Sequence, residues 1–154
     1  VTDYLNPFQT VYPELKKVKF ISKEEKFFAP RATAKTSQGV IDMCYKNWNK
    51  ARKQFKTFEN NPTEALVIND LSIYLHLGSL STIKRIKNKV KYFYANAYSG
   101  RRLLMDMGSN ISSTEMILLK KFMEAVDIVF KTTHNFKVNV VEEYKKLLTT
   151  TEQN

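Results

Sequence analysis

The sequence contains few glycines and prolines, which end helices and strands, and a single cysteine. It has 154 residues with four glycines, four prolines and a single cysteine, Cys44, which cannot form a disulfide within the chain. No apolar run approaches the roughly twenty residues that a membrane-spanning helix needs. A chain of this length buries about two-thirds of its unfolded surface, enough for a core without disulfides. These features predict one compact domain over residues 1–154 that does not cross a membrane.

Acidic residues are missing from one long segment. Between Asp70 and Asp106 there is no aspartate or glutamate, whereas residues 84–102 hold seven lysines and arginines and four tyrosines or phenylalanines. Like charges four residues apart on a helix repel, so an uncompensated run indicates a surface for a negatively charged partner. The alternative is a solvated face that serves solubility, but such faces usually intersperse acids.

The apolar residues recur at every third or fourth position, which is typical of helices. We therefore predict an all-α fold, a single up-and-down helical bundle of about five helices. The predicted helices cover residues 13–28, 37–58, 62–77, a stretch from 79 or 81 towards 100, and 112–130, with a helical tail over 139–148. Asn61 and Ser112 are the expected N-caps of the third and fifth helices, each with a glutamate three residues later that completes a capping box.

The second predicted helix divides into two faces on a helical wheel. Its inner face holds Ile41, Cys44, Tyr45, Trp48, Ala51 and Phe55. Lys46, Lys50 and Lys53 fall on the opposite face. Arg52 points into the apolar arc, and we expect it to extend its charged end to solvent at the rim of the bundle rather than form a functional ion pair.

The fourth predicted helix carries most of the charge in two rows. Lys84, Lys87 and Lys91 form a row about 10 Å long, and Arg85 and Lys89 form a second row beside it. Tyr92 is expected to be exposed between them, with Phe93 and Tyr94 buried. The predicted partner-binding residues are Lys84, Arg85, Lys87, Lys89, Lys91, Tyr92, Arg101 and Arg102, together with Lys46, Lys50 and Lys53.

The residues that catalysis requires are scarce. His76 lies in an apolar segment and His134 in a polar one, and neither has a nucleophile or acid at a spacing that indicates a triad or a metal site. Cys44 shares its helix face with aromatic residues, as a small buried side chain does. We therefore predict that the protein is not an enzyme and uses no metal or cofactor.

Three kinds of negatively charged partner are compatible with the basic rows. An anionic membrane would attract lysines and accept exposed aromatics among its headgroups. An acidic extracellular glycoprotein would use the same rows. Nucleic acid is the least favoured, because no recognition motif accompanies the charge and lysines outnumber arginines. The sequence leaves open whether the protein forms a homo-oligomer.

Two short motifs are similar to a known family. Lys89–Tyr94 (KVKYFY) on a basic helix and Leu118–Glu124 (LLKKFME) on the next resemble the abalone sperm acrosomal proteins, the family of lysin and its fusogenic paralogue of eighteen kilodaltons. The likeness of type extends over about residues 35–129. It implies a non-enzymatic, secreted helical bundle of the sperm acrosome that acts through basic rows, on the egg envelope for lysin and on membrane fusion for the paralogue.

The departures from lysin favour the paralogue. The chain has one tryptophan, more lysine than arginine and a long polar tail after Val129. It begins with Val1, which is compatible with removal of a secretion leader or with trimming for expression. We therefore expect a secreted protein that binds anionic surfaces and mediates sperm-egg membrane fusion, with binding of acidic egg-envelope glycoprotein as the alternative.

Overall fold

A computed structural model of the chain describes Ile21 and residues 26–99, 105–132 and 138–140. Within these residues there are five helices and four strands. The helices are α1 (Pro30–Thr33), α2 (Ser37–Asn60), α3 (Leu71–Leu75), α4 (Leu80–Lys87) and α5 (Ile111–Met123). The strands are β1 (Ala65–Ile68), β2 (Tyr92–Ala95), β3 (Phe130–Thr132) and β4 (Val138–Val140). The predicted all-α helical bundle is therefore wrong, because the fold mixes helices with two small sheets.

The first sheet pairs β1 with β2 in parallel. Ala65 is opposite Tyr92, and the register continues through Val67 opposite Tyr94. Parallel neighbours need a crossover connection, which α3 and α4 supply here. The second sheet pairs β3 with β4 in antiparallel orientation.

The predicted third helix is wrong for a physical reason. Residues 65–68 include the β-branched pair Val67 and Ile68, and they pair with a strand rich in tyrosine and phenylalanine, the composition that strands favour. Asp70 then adopts a left-handed conformation with φ of 59° and separates the strand from α3. A short apolar run cannot be assigned to helix or strand by periodicity alone, so the capping box at Asn61 was misread.

The helices α2 and α4 were predicted in part correctly. In α2 the Thr36 side chain accepts a hydrogen bond from the backbone N–H of Gly39 at 3.1 Å and caps the helix. In α4 the Ser79 hydroxyl accepts one from the N–H of Thr82 at 3.3 Å, as expected for an N-cap. The helix ends at Lys87 rather than near Gly100, so the predicted long basic helix is wrong.

The helices predicted near the two ends of the chain either differ from the observed elements or lie largely outside the described residues. Helix α5 begins at Ile111 after Asn110, and Ser112 and Glu115 are buried within its first turns instead of forming a capping box. Phe130 belongs to β3. Of the predicted first helix only Ile21 and residues 26–28 are described, and they are not helical; of the predicted tail only residues 139–140 are, and they lie in β4.

The core lies where α3 packs against α2 and α5, with α4 against α5. Its buried residues are Ala51, Leu71, Tyr74, Leu75, Ile83, Leu119 and Phe122. The Phe93 ring of β2 meets the Phe122 ring edge-on at 5.9 Å, which anchors the first sheet to this core. A smaller cluster joins Ala34, Val40, Cys44 and Ile111. No helix in the described ranges has the length and apolar character to cross a membrane.

Candidate functional site

The basic segment of residues 84–91 is partly neutralised by the fold. Acids that are distant in the sequence lie against three of its five cations. The pairs are Arg85 Nε with Glu59 Oε1 at 2.9 Å, Lys91 Nζ with Glu64 Oε1 at 3.4 Å, and Lys87 Nζ with Asp127 Oδ2 at 3.9 Å. The prediction that the positive charge of this segment is uncompensated is therefore wrong for Arg85, Lys87 and Lys91.

The predicted row of Lys84, Lys87 and Lys91 does not form. Lys91 follows the end of α4 and precedes β2, so it is not on the helix that carries the other two. Lys84 and Lys89 are exposed and have no carboxylate partner among the residues that the structure describes. Arg101 and Arg102 lie outside the described residues.

The aromatic predictions on β2 are confirmed for one tyrosine and wrong for the other. Tyr92 is 45% exposed, as expected, and the Lys91 ammonium lies 5.0 Å from the centre of its ring. Tyr94 is 60% exposed although it was expected to be buried. The reason is that alternate residues of a strand point to the same face, so these two tyrosines share the outer face of the sheet.

Within the described ranges, the largest group of cations without a carboxylate partner lies on α2. Between Asp42 and Glu59 the helix has five bases and no acid, and no carboxylate in the described ranges pairs with any of the five. We call these residues the α2 basic face: Lys46, Lys50, Arg52, Lys53 and Lys56. At 1.5 Å per residue the face is about 15 Å long.

Aromatic rings support one side of the α2 basic face. The Arg52 guanidinium lies 4.5 Å from the centre of the Trp48 ring, and the Tyr45 ring follows at 5.7 Å from Trp48. Tyr45 is 55% exposed, which corrects its predicted place on the inner face. Arg52 is exposed and contacts an aromatic ring, and none of the described carboxylates pairs with it.

On the other side of the α2 basic face, two lysines contact residues 26–28, which precede α1. The Lys50 ammonium donates to the backbone carbonyl of Lys26 and lies 4.8 Å from the centre of the Phe28 ring. Lys46 lies 5.7 Å from the same ring. Cations over aromatic rings keep their charge while their side chains are positioned, so the face presents a partly ordered array of positive groups.

A second cluster of chemically active groups is buried. Arg31 Nη1 lies 2.6 Å from Glu115 Oε2, which lies 3.1 Å from His76 Nε2, and His76 Nδ1 lies 3.5 Å from the Cys44 sulfur. We call Arg31, Cys44, His76 and Glu115 the buried network. It joins α1, α2, the residue after α3, and α5.

Cys44, His76 and Glu115 contact one another in the order of a thiol nucleophile, a base and an orienting acid. The thiol is nevertheless not activated as a nucleophile, which indicates a structural role. Burial raises the pKa of the Cys44 thiol to about 11; the Arg31 charge opposes this shift and Glu115 reinforces it. Cys44 is fully buried, whereas reactive cysteines are partly exposed and form a thiolate easily. The two ring nitrogens of His76 face the Cys44 sulfur and Glu115 Oε2, so both have a polar partner within the network.

Glu115 remains charged in this site. Burial by itself raises the pKa of its carboxyl, but hydrogen bonds from His76 and Arg31, with the Arg31 charge, together hold that pKa below its ordinary value. The network thus contains one buried carboxylate paired with one arginine. This ion pair links α1, which carries Arg31, to α5, which carries Glu115. Removing either partner would leave the other as an uncompensated buried charge.

Sequence reasoning missed this network. Cys44 and His76 are 32 residues apart, His76 and Glu115 are 39 apart, and Arg31 and Glu115 are 84 apart. No short spacing reveals contacts of that kind. The available signal was His76 within an apolar segment, because a buried imidazole requires hydrogen-bonding partners from elsewhere.

Comparisons with known proteins add no family assignment. No protein-family model matches the chain, and neither a curated protein nor a solved structure does. Among the described residues, no group of three or more histidine, cysteine, aspartate or glutamate side chains is placed so that it could hold a metal ion.

Proposed function

We propose that this protein binds anionic membranes through the α2 basic face. The observation that carries the proposal is that five cations on one helix have no carboxylate partner in the part of the chain that the structure describes. Unpaired charges attract an anionic surface more strongly than cations whose field is already cancelled by a neighbouring acid. Each lysine or arginine close to such a membrane contributes about 1 kcal/mol.

Lipid is favoured over the other anionic partners by the aromatic residues of α2. Tyr45 is exposed beside the cations, and its side chain combines an apolar ring with a polar group, as do the aromatics that concentrate at membrane interfaces. Trp48 packs partly against the core and contacts the Arg52 guanidinium. Four of the five cations are lysines, whereas arginine is the usual reader of bases. The proposal is one of binding rather than catalysis, since the Cys44 thiol is enclosed in the core.

Secretion and sperm-egg membrane fusion are the narrower part of the proposal. They depend on the two short motifs that resemble the acrosomal proteins. KVKYFY spans a turn and strand β2 here instead of a basic helix, so the motif supports the resemblance by sequence only. Binding of acidic egg-envelope glycoprotein is the alternative that the experiment below separates.

The test compares two triple variants that remove the same formal charge. One is Lys46→Gln, Lys53→Gln, Lys56→Gln; the control is Arg85→Gln, Lys87→Gln, Lys91→Gln, whose cations are paired with acids. Co-sedimentation with phosphatidylserine vesicles is measured at 0.15 M salt, where screening over about 8 Å makes local charge decisive. We expect affinity to fall on the order of a hundredfold for the α2 variant and much less for the control.

Three results would contradict the proposal. Equal losses in both variants would show that net charge, rather than this face, sets the affinity. Equal binding to phosphatidylcholine vesicles would remove the electrostatic basis. A protein that ignores vesicles but retains an acidic glycoprotein, or an oligonucleotide, would assign the face to that partner instead.

A further inference from the structure

The outer face of the first sheet is apolar and open to solvent. Val67 is 73% exposed, Tyr94 is 60% exposed and Tyr92 is 45% exposed. The alternate residues Ile68 and Phe93 pack against the core, so the two faces of the sheet have opposite environments. Val67 and Tyr94 are register partners on neighbouring strands and therefore lie side by side.

An open face is unusual for parallel strands. Sheets of this kind are ordinarily covered on both faces because their connections place helices there. In this protein α3 and α4 connect β1 to β2, and the sheet residues that pack against the core, Ile68 and Phe93, all lie on one face of the sheet. The outer face thus exposes an aliphatic side chain beside two phenol rings.

Positive charge borders this apolar face at the start of β2. Lys91 directly precedes Tyr92, and its ammonium lies over the Tyr92 ring while it pairs with the exposed Glu64 at 3.4 Å. Lys89 is exposed and pairs with no described carboxylate. Because Glu64 cancels the charge of Lys91, the charge left at this border is that of Lys89, and an apolar centre beside such a lysine is complementary to a bilayer whose headgroups are anionic.

We infer that the outer face of the β1–β2 sheet, formed by Val67, Tyr92 and Tyr94, enters the headgroup region of an anionic membrane while the exposed Lys89 contacts lipid phosphates. This inference rests on the proposed function and adds the element that penetrates the lipid. Bases would stack on the tyrosines equally well, but an exposed Val67 gains nothing from a base and gains free energy from acyl chains.

The test places an environment-sensitive dye on the sheet. Cys44 is buried, so the variant Val67→Cys offers a single accessible thiol for a nitrobenzoxadiazole label. Ser113→Cys, at an exposed position of α5, is the matched control. With phosphatidylserine vesicles we expect a blue shift and a several-fold rise in emission at position 67 and no change at position 113. Tyr94→Cys provides a second sheet position, and circular dichroism checks that each labelled protein is folded.

The outcomes separate this inference from the proposed function. Vesicles that sediment the labelled protein without changing its emission would overturn the inference and leave α2-mediated binding intact. A response at position 113 equal to that at position 67 would also overturn it. Failure to sediment would overturn both, and a change in emission with single-stranded oligonucleotide but not with vesicles would replace lipid by nucleic acid.

Discussion

The substitution Glu115→Gln tests the buried network most directly. Glutamine keeps the size of the side chain but removes the carboxylate that pairs with Arg31 and contacts His76. The side chains of Arg31 and Glu115 are 11% and 4% exposed, so water cannot replace the missing partner. The guanidinium of Arg31 is then an uncompensated charge in the interior.

The expected loss is large. Removing one partner of a buried ion pair costs about 3–5 kcal/mol, out of a total of about 5–15 kcal/mol for a typical domain. For a chain of this size such a loss lowers the melting temperature by roughly 6–20 °C. Urea unfolding followed by circular dichroism gives the free energy, and a thermal scan gives the midpoint.

Two control variants separate charge from packing. Glu59→Gln breaks the exposed pair with Arg85 and is expected to leave stability almost unchanged. The double variant Arg31→Met, Glu115→Met removes both charges and fills the space with apolar atoms, so it is expected to be much less harmful than Glu115→Gln. The reasoning is refuted if Glu115→Gln is as mild as Glu59→Gln, because the network would then not carry a buried charge.

Two further predictions concern pH and packing. Because the pKa of Glu115 is lowered in the folded state, its contribution to stability is fully present above its unfolded value of about 4.3 and is lost as the pH falls through the folded value. Urea midpoints between pH 7 and pH 3 are therefore expected to fall more steeply for wild type than for Glu115→Gln, and parallel profiles would contradict this. At Gly78 a Cβ would overlap the buried Tyr74 ring, whereas at Gly39 its nearest neighbour would be the Thr36 hydroxyl at 3.2 Å. Gly78→Ala is expected to cost about 1–3 kcal/mol and Gly39→Ala less, and equal urea midpoints would argue against the tight contact.

Much of the helical content could be predicted where local signals were strong. Helix α2 was predicted as 37–58 and is observed as Ser37–Asn60. Helix α4 was predicted to start at residue 79 or 81, and it starts at Leu80 with Ser79 as its N-cap. The strands were missed because each has only three or four residues, too few for alternation to differ from a helical pattern. Tyr45 and Tyr94 were assigned to buried faces because a wheel drawn on one element does not show which side its neighbours cover.

The candidate site was predicted in part. Lys46, Lys50 and Lys53 were singled out, and they lie on α2 without a carboxylate partner in the described ranges. Lys56 was overlooked, and Arg85, Lys87 and Lys91 were expected to be free although acids from other elements pair with them. The absence of acids within residues 71–105 was a correct observation about the sequence, but charge pairs are formed in space.

The amino-acid order alone determined the excess of positive charge, the lack of an internal disulfide and the long helix α2, because these follow from composition and from hydrogen bonds between residues four apart. The tertiary structure decided which cations remain unpaired and brought Arg31, His76 and Glu115 into contact. It also placed β1 beside β2, across a separation of 27 residues. Those features depend on chain segments that meet only when the core packs, and no local pattern encodes them.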